Sequence, residues 1–411
     1  MKKLLLSGLM LLAMASCKSD EEDGVLVNML PKTRRIELTD VQKEYIKSNN
    51  NFSFNLFKTI WQQSKDAKSV VCSPISATYV LSMLHDGASG ITAREISSLL
   101  GFSNKNTSEI NELCKALIEG APETDNNVTL KIANYLAVDR NETIQANFQK
   151  DLDYYYNAEM ASLDFTSPVA VKAINDWCDK QTNGVIREIV DELPLDTKLV
   201  LMNAIYFKAN WTEKFDPKDT KTETFRFENG GKKELPMMHR KGVVLCRTSN
   251  SFSMIRLPYG SGDRWSMYVL LPNEGLSVDH VIKDLSAEQW YADDAHSAIV
   301  DIKIPRFCLL SDIDLIPVIS EMGAPSLFSN NAQLTNICES KQLYVSQMKQ
   351  KVAVDVNEEG TQMATTTIST EVESGLLNME GGEFHCNRPF VYLIQESSSG
   401  AIFFIGTFRG E

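Results

Sequence analysis

Apolar positions at Phe52, Leu56, Phe57 and Ile60 recur at helical spacing and predict a helix running on from about Asn51, after a mixed lead-in. Ser69 to Cys72 reads as a short strand. Ser73 then offers a cap and Pro74 a first helical position, with Ile75, Tyr79, Met83 and Leu84 on one face and Gly87 at the end. Thr92-Ala93-Arg94-Glu95 has the spacing of a capping box before Ile96, Leu99 and Leu100. Further helices are predicted over about Ser108–Ile118, Gln145–Asn157 and from Ser167-Pro168 to about Lys180. Strands are predicted over Val128–Val138 and Glu159–Phe165. Thr197–Lys208 is almost wholly apolar, which predicts a central strand covered on both faces. From Glu223 to Leu271 strands alternate with turns at Asn229-Gly230-Gly231 and Pro258-Tyr259-Gly260. Helices over Val278–Leu285, Ala287–Tyr291 and Asp312–Met322 follow. Strands over Ala298–Ile304, Tyr344–Val356, Phe390–Gln395 and Ala401–Phe408 complete the pattern. Helices crowd the first half and antiparallel strands the second, so the class is α+β.

One stretch does not fit. After the Tyr344–Val356 strand, Glu358-Glu359-Gly360 breaks the pattern, and the chain then runs without Pro or Gly to Gly375. It is rich in Thr, Ile and Val, residues of a pleated extended chain rather than of a loop. Such a segment is a strand written outside any sheet, and it implies a stored conformational change.

Composition narrows the class. The 411 residues are 43% hydrophobic and 23% charged, a soluble globular profile. The interior has no Pro-rich or Gly/Ser-rich linker, so one large domain is expected. A formal net charge of −13 argues against nucleic-acid binding. Lys2-Lys3, the apolar run Leu4 to Met14, and Ala15-Ser16-Cys17 read as a signal peptide over residues 1–16, too short in its apolar part to span a membrane. Small residues directly before Cys17 resemble a bacterial lipobox, which makes Cys17 the lipidated first residue. Lys18-Ser19-Asp20-Glu21-Glu22-Asp23 supplies an acidic tether within residues 17–45. The expected location is the bacterial outer membrane, on the cell surface, with the periplasm or secretion as alternatives. Eight Cys are scattered without metal spacing, and seven remain beyond Cys17, so at least one thiol is free. Cys72, Cys178 and Cys308 lie in apolar runs and are expected to be buried. The five His, and the lack of H-E-x-x-H, G-x-S-x-G, P-loop and G-x-G-x-x-G strings, leave a hydrolase without motif support.

Five strings, in order, resemble the serpin family across about Ile46 to Gly410. Val70-Val71-Cys72-Ser73-Pro74-Ile75-Ser76 resembles the segment that sets two serines under the opening of the family's main sheet. Asn175-Asp176-Trp177 with Thr182-Asn183-Gly184-Val185-Ile186 resembles the helix across that sheet and its following turn. Asn203-Ala204-Ile205-Tyr206-Phe207-Lys208-Ala209-Asn210-Trp211 resembles its third strand and entrance tryptophan. Ile304-Pro305-Arg306-Phe307 is a further match, and Phe384-His385-Cys386-Asn387-Arg388-Pro389-Phe390-Val391-Tyr392-Leu393-Ile394 fits the family signature.

The resemblance implies a serpin fold with three β-sheets, eight or nine helices and an exposed reactive-centre loop over about 358–383, in one domain spanning 46–411. It implies a suicide inhibitor of serine-type endopeptidases and no catalytic residues of its own. The protease attacks the loop, an acyl-enzyme forms, and the freed loop enters the sheet as a strand. The hinge is Glu358, Glu359, Gly360, Thr361, Met363, Ala364, Thr365 and Thr367. It lacks Pro and carries small residues, as insertion requires, although Met363 stands where inhibitors of the family usually carry Ala. Family register points residues 361, 363, 365, 367, 369 and 371 inward, which buries Glu371 near the far end. Ser73, Ser76, Asn203, Trp211 and Gln350 form the opening region, with Gln350 where the family commonly has His. Family spacing from Gly360 places the reactive bond at Ser374–Gly375, with Glu373, Leu376, Leu377 and Met379 as alternatives. No Lys or Arg lies between Thr361 and Asn387, so trypsin-like targets are disfavoured. Elastase-like or subtilisin-like proteases are expected, with chymotrypsin-like and papain-like ones also compatible. No cofactor or metal is implied. Lys105 and Lys115 share their region with Glu109, Glu112 and Glu119, so heparin is not an expected partner. A monomer is expected, its partners a target protease and, through Cys17, a membrane. The other reading is a non-inhibitory binding or carrier member cleaved as a plain substrate.

Overall fold

Almost every residue of the helix Pro74–Gly87 is buried, as befits a helix apolar on all sides. Ser73 caps it by accepting from the Ser76 amide, with Pro74 at the first position. The computed structural model describes residues 33–64, 68–102, 106–262, 264–292, 294–339, 343–361 and 380–410. From Thr33 onward they form one compact unit.

The buried helix lies beneath a six-stranded sheet, packed on its β4 strand. That sheet has the order β10 (Phe307–Asp314), β11 (Val345–Asn357), β12 (Gly360–Thr361), β4 (Leu199–Asn210), β2 (Val128–Asp139) and β3 (Ala158–Leu163). The main core covers one face. On the other, the helix Pro168–Gln181 packs Ile174, Trp177 and Cys178 onto Tyr135, Val200 and Met202. The central strand is therefore covered on both sides, as its apolar run predicts.

The second sheet contains β5 (Lys221–Arg226), β6 (Lys232–Thr248), β7 (Phe252–Tyr259), β8 (Trp265–Pro272), β9 (His296–Pro305), β13 (Glu380–His385), β14 (Phe390–Glu396) and β15 (Ile402–Phe408), plus the short Val71–Cys72. Two of the three expected sheets merge here, because the 17-residue β6 runs through both. Nine α-helices and two short 3-10 turns occur among the described residues.

Four local expectations are corrected. The Thr92–Glu95 capping box does not form. The helix begins at Gly90, and Gln333 Oε1 accepts from the Ile91 amide (2.8 Å). Thr92 and Glu95 instead bind the Pro325–Phe328 turn through Ser326 (2.8 and 3.1 Å). Residues 307–314 form an edge strand with Phe307, Leu309, Ser311 and Ile313 inward, so 312–314 are strand and not the start of the expected Asp312–Met322 helix. The helix is only Leu315–Glu321, capped by Asp314. Cys308 falls on the outward face of that strand and is exposed, whereas Cys72 and Cys178 are buried as expected. No disulfide joins any of the seven described cysteines. Lastly, the sheets are not purely antiparallel: β4 with β11, β2 with β3, and β9 with β13 run parallel.

Candidate functional site

The site is a division in the six-stranded sheet. β4 and β11 pair in parallel from Leu199–Val345 to Asn203–Gln350, and there their direct pairing stops. Beyond it, β12 takes the space between them: Gly360 pairs with Asn210 and Asn357, Thr361 with Ala209 and Val356. Among the described residues, 204–208 of β4 and 351–355 of β11 have no strand partner on the facing edge. Their outer edges are fully laddered, to β2 and to β10. Backbone groups without ladder partners on two facing edges are a receptor for one more strand.

The hinge is held at the upper end of this slot by the residues the sequence singles out. Glu358-Glu359 reverses the chain. The Trp211 amide donates to the Glu359 carbonyl (2.8 Å) and the Trp211 indole to the Asn357 carbonyl (2.9 Å). Gly360 has φ +144°, and a Cβ there would lie 2.2 Å from the Ala209 carbonyl oxygen and 2.5 Å from Asn210 Cα. Only glycine passes. Thr361 is buried (2% exposed) and its hydroxyl meets that of Tyr259 at 2.8 Å, so the inward register holds at this first position. Gly360–Thr361 thus belongs to the sheet, with Glu358-Glu359 as the turn into it, and Glu380–His385 is strand β13. Met363, Ala364, Thr365, Thr367, Glu371, Glu373, Ser374, Gly375, Leu376, Leu377, Met379 and Cys17 lie outside the described residues.

Two cations strap the turn. Arg306 grips the Glu358 carboxylate through Nη2 and through Nε (3.1 Å), Thr220 donates to the same group (2.7 Å), and Lys214 pairs with Glu359. Burial pushes the Glu358 carboxyl up, but the bonds from Arg306 and Thr220 outweigh it and leave its pKa below the usual glutamate value. A depressed folded pKa contributes stability that is present above the unfolded value, about 4.3, and is lost as pH falls through the folded one. Arg306→Ala should cost about 2 kcal/mol at pH 7, because it strips a buried carboxylate of its charge partner. Thermal midpoints measured from pH 7 down to 3 should show the gap between parent and variant closing as Glu358 protonates. A gap constant with pH would contradict the strap.

At the lower end, Gln350 is buried and bonds Ser73 twice, accepting from its amide and donating to its carbonyl (both 2.9 Å). Both bonds go to the backbone of Ser73. Ser76 donates to Asn203 Oδ1, Asn203 to Asn134 (2.6 Å), and Asn134 to the Tyr156 carbonyl (2.9 Å). The Tyr156 hydroxyl continues to Asn111 (2.7 Å), which donates to Asp86 (2.8 Å). Sequence reasoning missed Asn134, Tyr156, Asn111, Lys214, Thr220 and Tyr259. A polar residue inside an apolar strand, as at Asn134, was the available signal for this network.

The same molecule matches known proteins along nearly its whole length. The family model Serpin (serine protease inhibitor) matches residues 47–410. The leukocyte elastase inhibitor of Sus scrofa is 32% identical over 379 residues, covering 87% of this chain and 97% of that protein. A native stressed conformation of Arabidopsis AtSerpin1 superposes with a TM-score of 0.79 at 29% identity, over 91% of this chain and 99% of that one. Thyroxine-binding globulin in complex with thyroxine superposes with a TM-score of 0.80 at 26% identity, over 90% and 99%. With the divided sheet, the docked hinge and these matches together, the chain belongs to the serpin family.

Proposed function

We propose that the chain inhibits serine-type endopeptidases as a suicide substrate, its loop beyond Thr361 supplying the bait. The observation that carries this reading is the slot between β4 and β11 with its first rung already filled by Gly360 and Thr361. The protease nucleophile adds to the carbonyl of the residue before the reactive bond, Ser374 in the family spacing. The amine of Gly375 leaves with a proton, and the ester to Ser374 remains. Residues beyond Thr361 then follow into the slot and draw the acylated protease along before water reaches the ester.

Elastase-like or subtilisin-like enzymes are the targets this loop suits, since it offers Ser, Leu, Met and Glu and no cation before Arg388. The likeness to leukocyte elastase inhibitors supports the same choice. Lys2-Lys3, the apolar run and Ala15-Ser16-Cys17 support a lipid anchor on Cys17, which would hold a monomeric inhibitor at a bacterial surface.

Incubating the soluble form with elastase, subtilisin, chymotrypsin, papain and trypsin, followed by denaturing gels, tests this. A denaturation-resistant complex is expected with elastase or subtilisin and none with trypsin acting within the loop. Quantitative cleavage of the loop by every enzyme without any complex would favour a binding or carrier role, as for the thyroxine-bound relative.

A further inference from the structure

Tyr259 ends β7 in the second sheet, yet its ring reaches the mouth of the slot in the first. It is fully buried, stacked on Trp211 at 4.4 Å and 10°, with Phe207 edge-on at 5.4 Å. The strand end is fixed to the end of β4 and the residues just after it by backbone bonds on both sides: the Thr212 amide donates to the Pro258 carbonyl (2.9 Å) and the Gly260 amide to the Asn210 carbonyl (2.8 Å). The phenol therefore cannot swing to another partner without moving both sheets. Thr361 supplies its one side-chain hydrogen bond among the described residues.

We infer that Tyr259 is the positioning residue that selects and seats the first inserted rung of the hinge, by presenting a fixed, buried hydroxyl that only a hydroxyl-bearing residue at 361 completes. The inference rests on the inhibitory reading for its consequence but not for its geometry. When Thr361 leaves the slot, the Tyr259 hydroxyl loses that partner. Burial also pushes its pKa well up, so it stays a neutral phenol and cannot be relieved by ionising. The empty mouth is thereby penalised, and the seated hinge is favoured. Seating requires two matches at once: no Cβ at 360, as the contacts of Gly360 demand, and a hydroxyl at 361.

Hydrogen exchange at the hinge amides of the unreacted chain tests this without any protease. Tyr259→Phe and Thr361→Val should each speed exchange around residues 357–361 about five- to tenfold, the loss of one ordinary buried hydrogen bond. The double variant should be no faster than either single one, and Thr361→Ser should restore the parent rate. Additive effects, or a Tyr259→Phe chain with lowered melting temperature but parent exchange at the hinge, would overturn the assignment and leave Tyr259 a packing residue. Trapped-complex yield is then read on the same variants. If the parent forms no complex with any protease, the inhibitory reading fails while the exchange result still decides the role of Tyr259.

Discussion

Gly360→Val is expected to convert the chain from an inhibitor into a substrate. The added Cβ falls against backbone on the Ala209–Trp211 side, the nearest atom at 2.2 Å, and the φ of +144° is one that a β-branched residue does not adopt. Neither neighbour can give way, because Ala209 is paired across to Val128 and Trp211 bonds the turn. The hinge then has to stay out of the mouth, and the Tyr259–Thr361 bond goes with it. After acylation, insertion competes with hydrolysis of the ester. A handicap of about 2 kcal/mol on the insertion barrier lowers the ratio of trapped to released protease about 30-fold. Measuring that ratio on gels at fixed protease checks it, and parent-like trapping would show that the hinge enters by another path.

The second large effect is expected at Gln350, the last rung before β4 and β11 part. Gln350→Leu keeps the volume but strips both side-chain bonds from the backbone of a fully buried Ser73, leaving its amide without a partner while its carbonyl keeps only the bond from the Ala77 amide (3.3 Å). That costs about 1–3 kcal/mol. The loss falls where the slot closes, so spontaneous decay of activity at 37 °C should accelerate together with a fall in melting temperature. Gln350→His can satisfy one of the two groups and should lie between. An unchanged decay rate in Gln350→Leu would mean that the Ser76–Asn203–Asn134 chain alone holds the sheet shut.

The long elements were legible because their periodicity and burial agree. The Ser73-Pro74 cap, the apolar Thr197–Lys208 run and the Tyr344–Val356 strand all stand near their predicted places. Errors came where tertiary bonds outbid local signals, as when Ser326 takes Thr92 and Glu95 away from the helix end. The edge strand 307–314 had the right alternation, F-C-L-L-S-D-I-D, but its acidic end resembles a helix cap, and Asp314 is indeed one. Within the site, Gly360, Thr361, Trp211 and Gln350 could be named before the fold because the resemblance to the serpin family points to each of them. The straps could not. Arg306, Lys214, Thr220 and Tyr259 come from four separate segments, and only the fold shows that they meet at one turn.

The inhibitory reading, and with it the trapping lost in Gly360→Val, presupposes that the free segment beyond Thr361 enters the slot as a strand. The most direct measurement is the thermal unfolding midpoint of the soluble chain before and after a single cleavage in the loop. The free edges 204–208 and 351–355 gain about ten ladder hydrogen bonds between them, and at about 1 kcal/mol per bond these add about 10 kcal/mol. That corresponds to a rise on the order of 10–20 °C in a chain of this size. Cleavage that leaves the midpoint unchanged or lowers it would contradict insertion, and with it the inhibitory function.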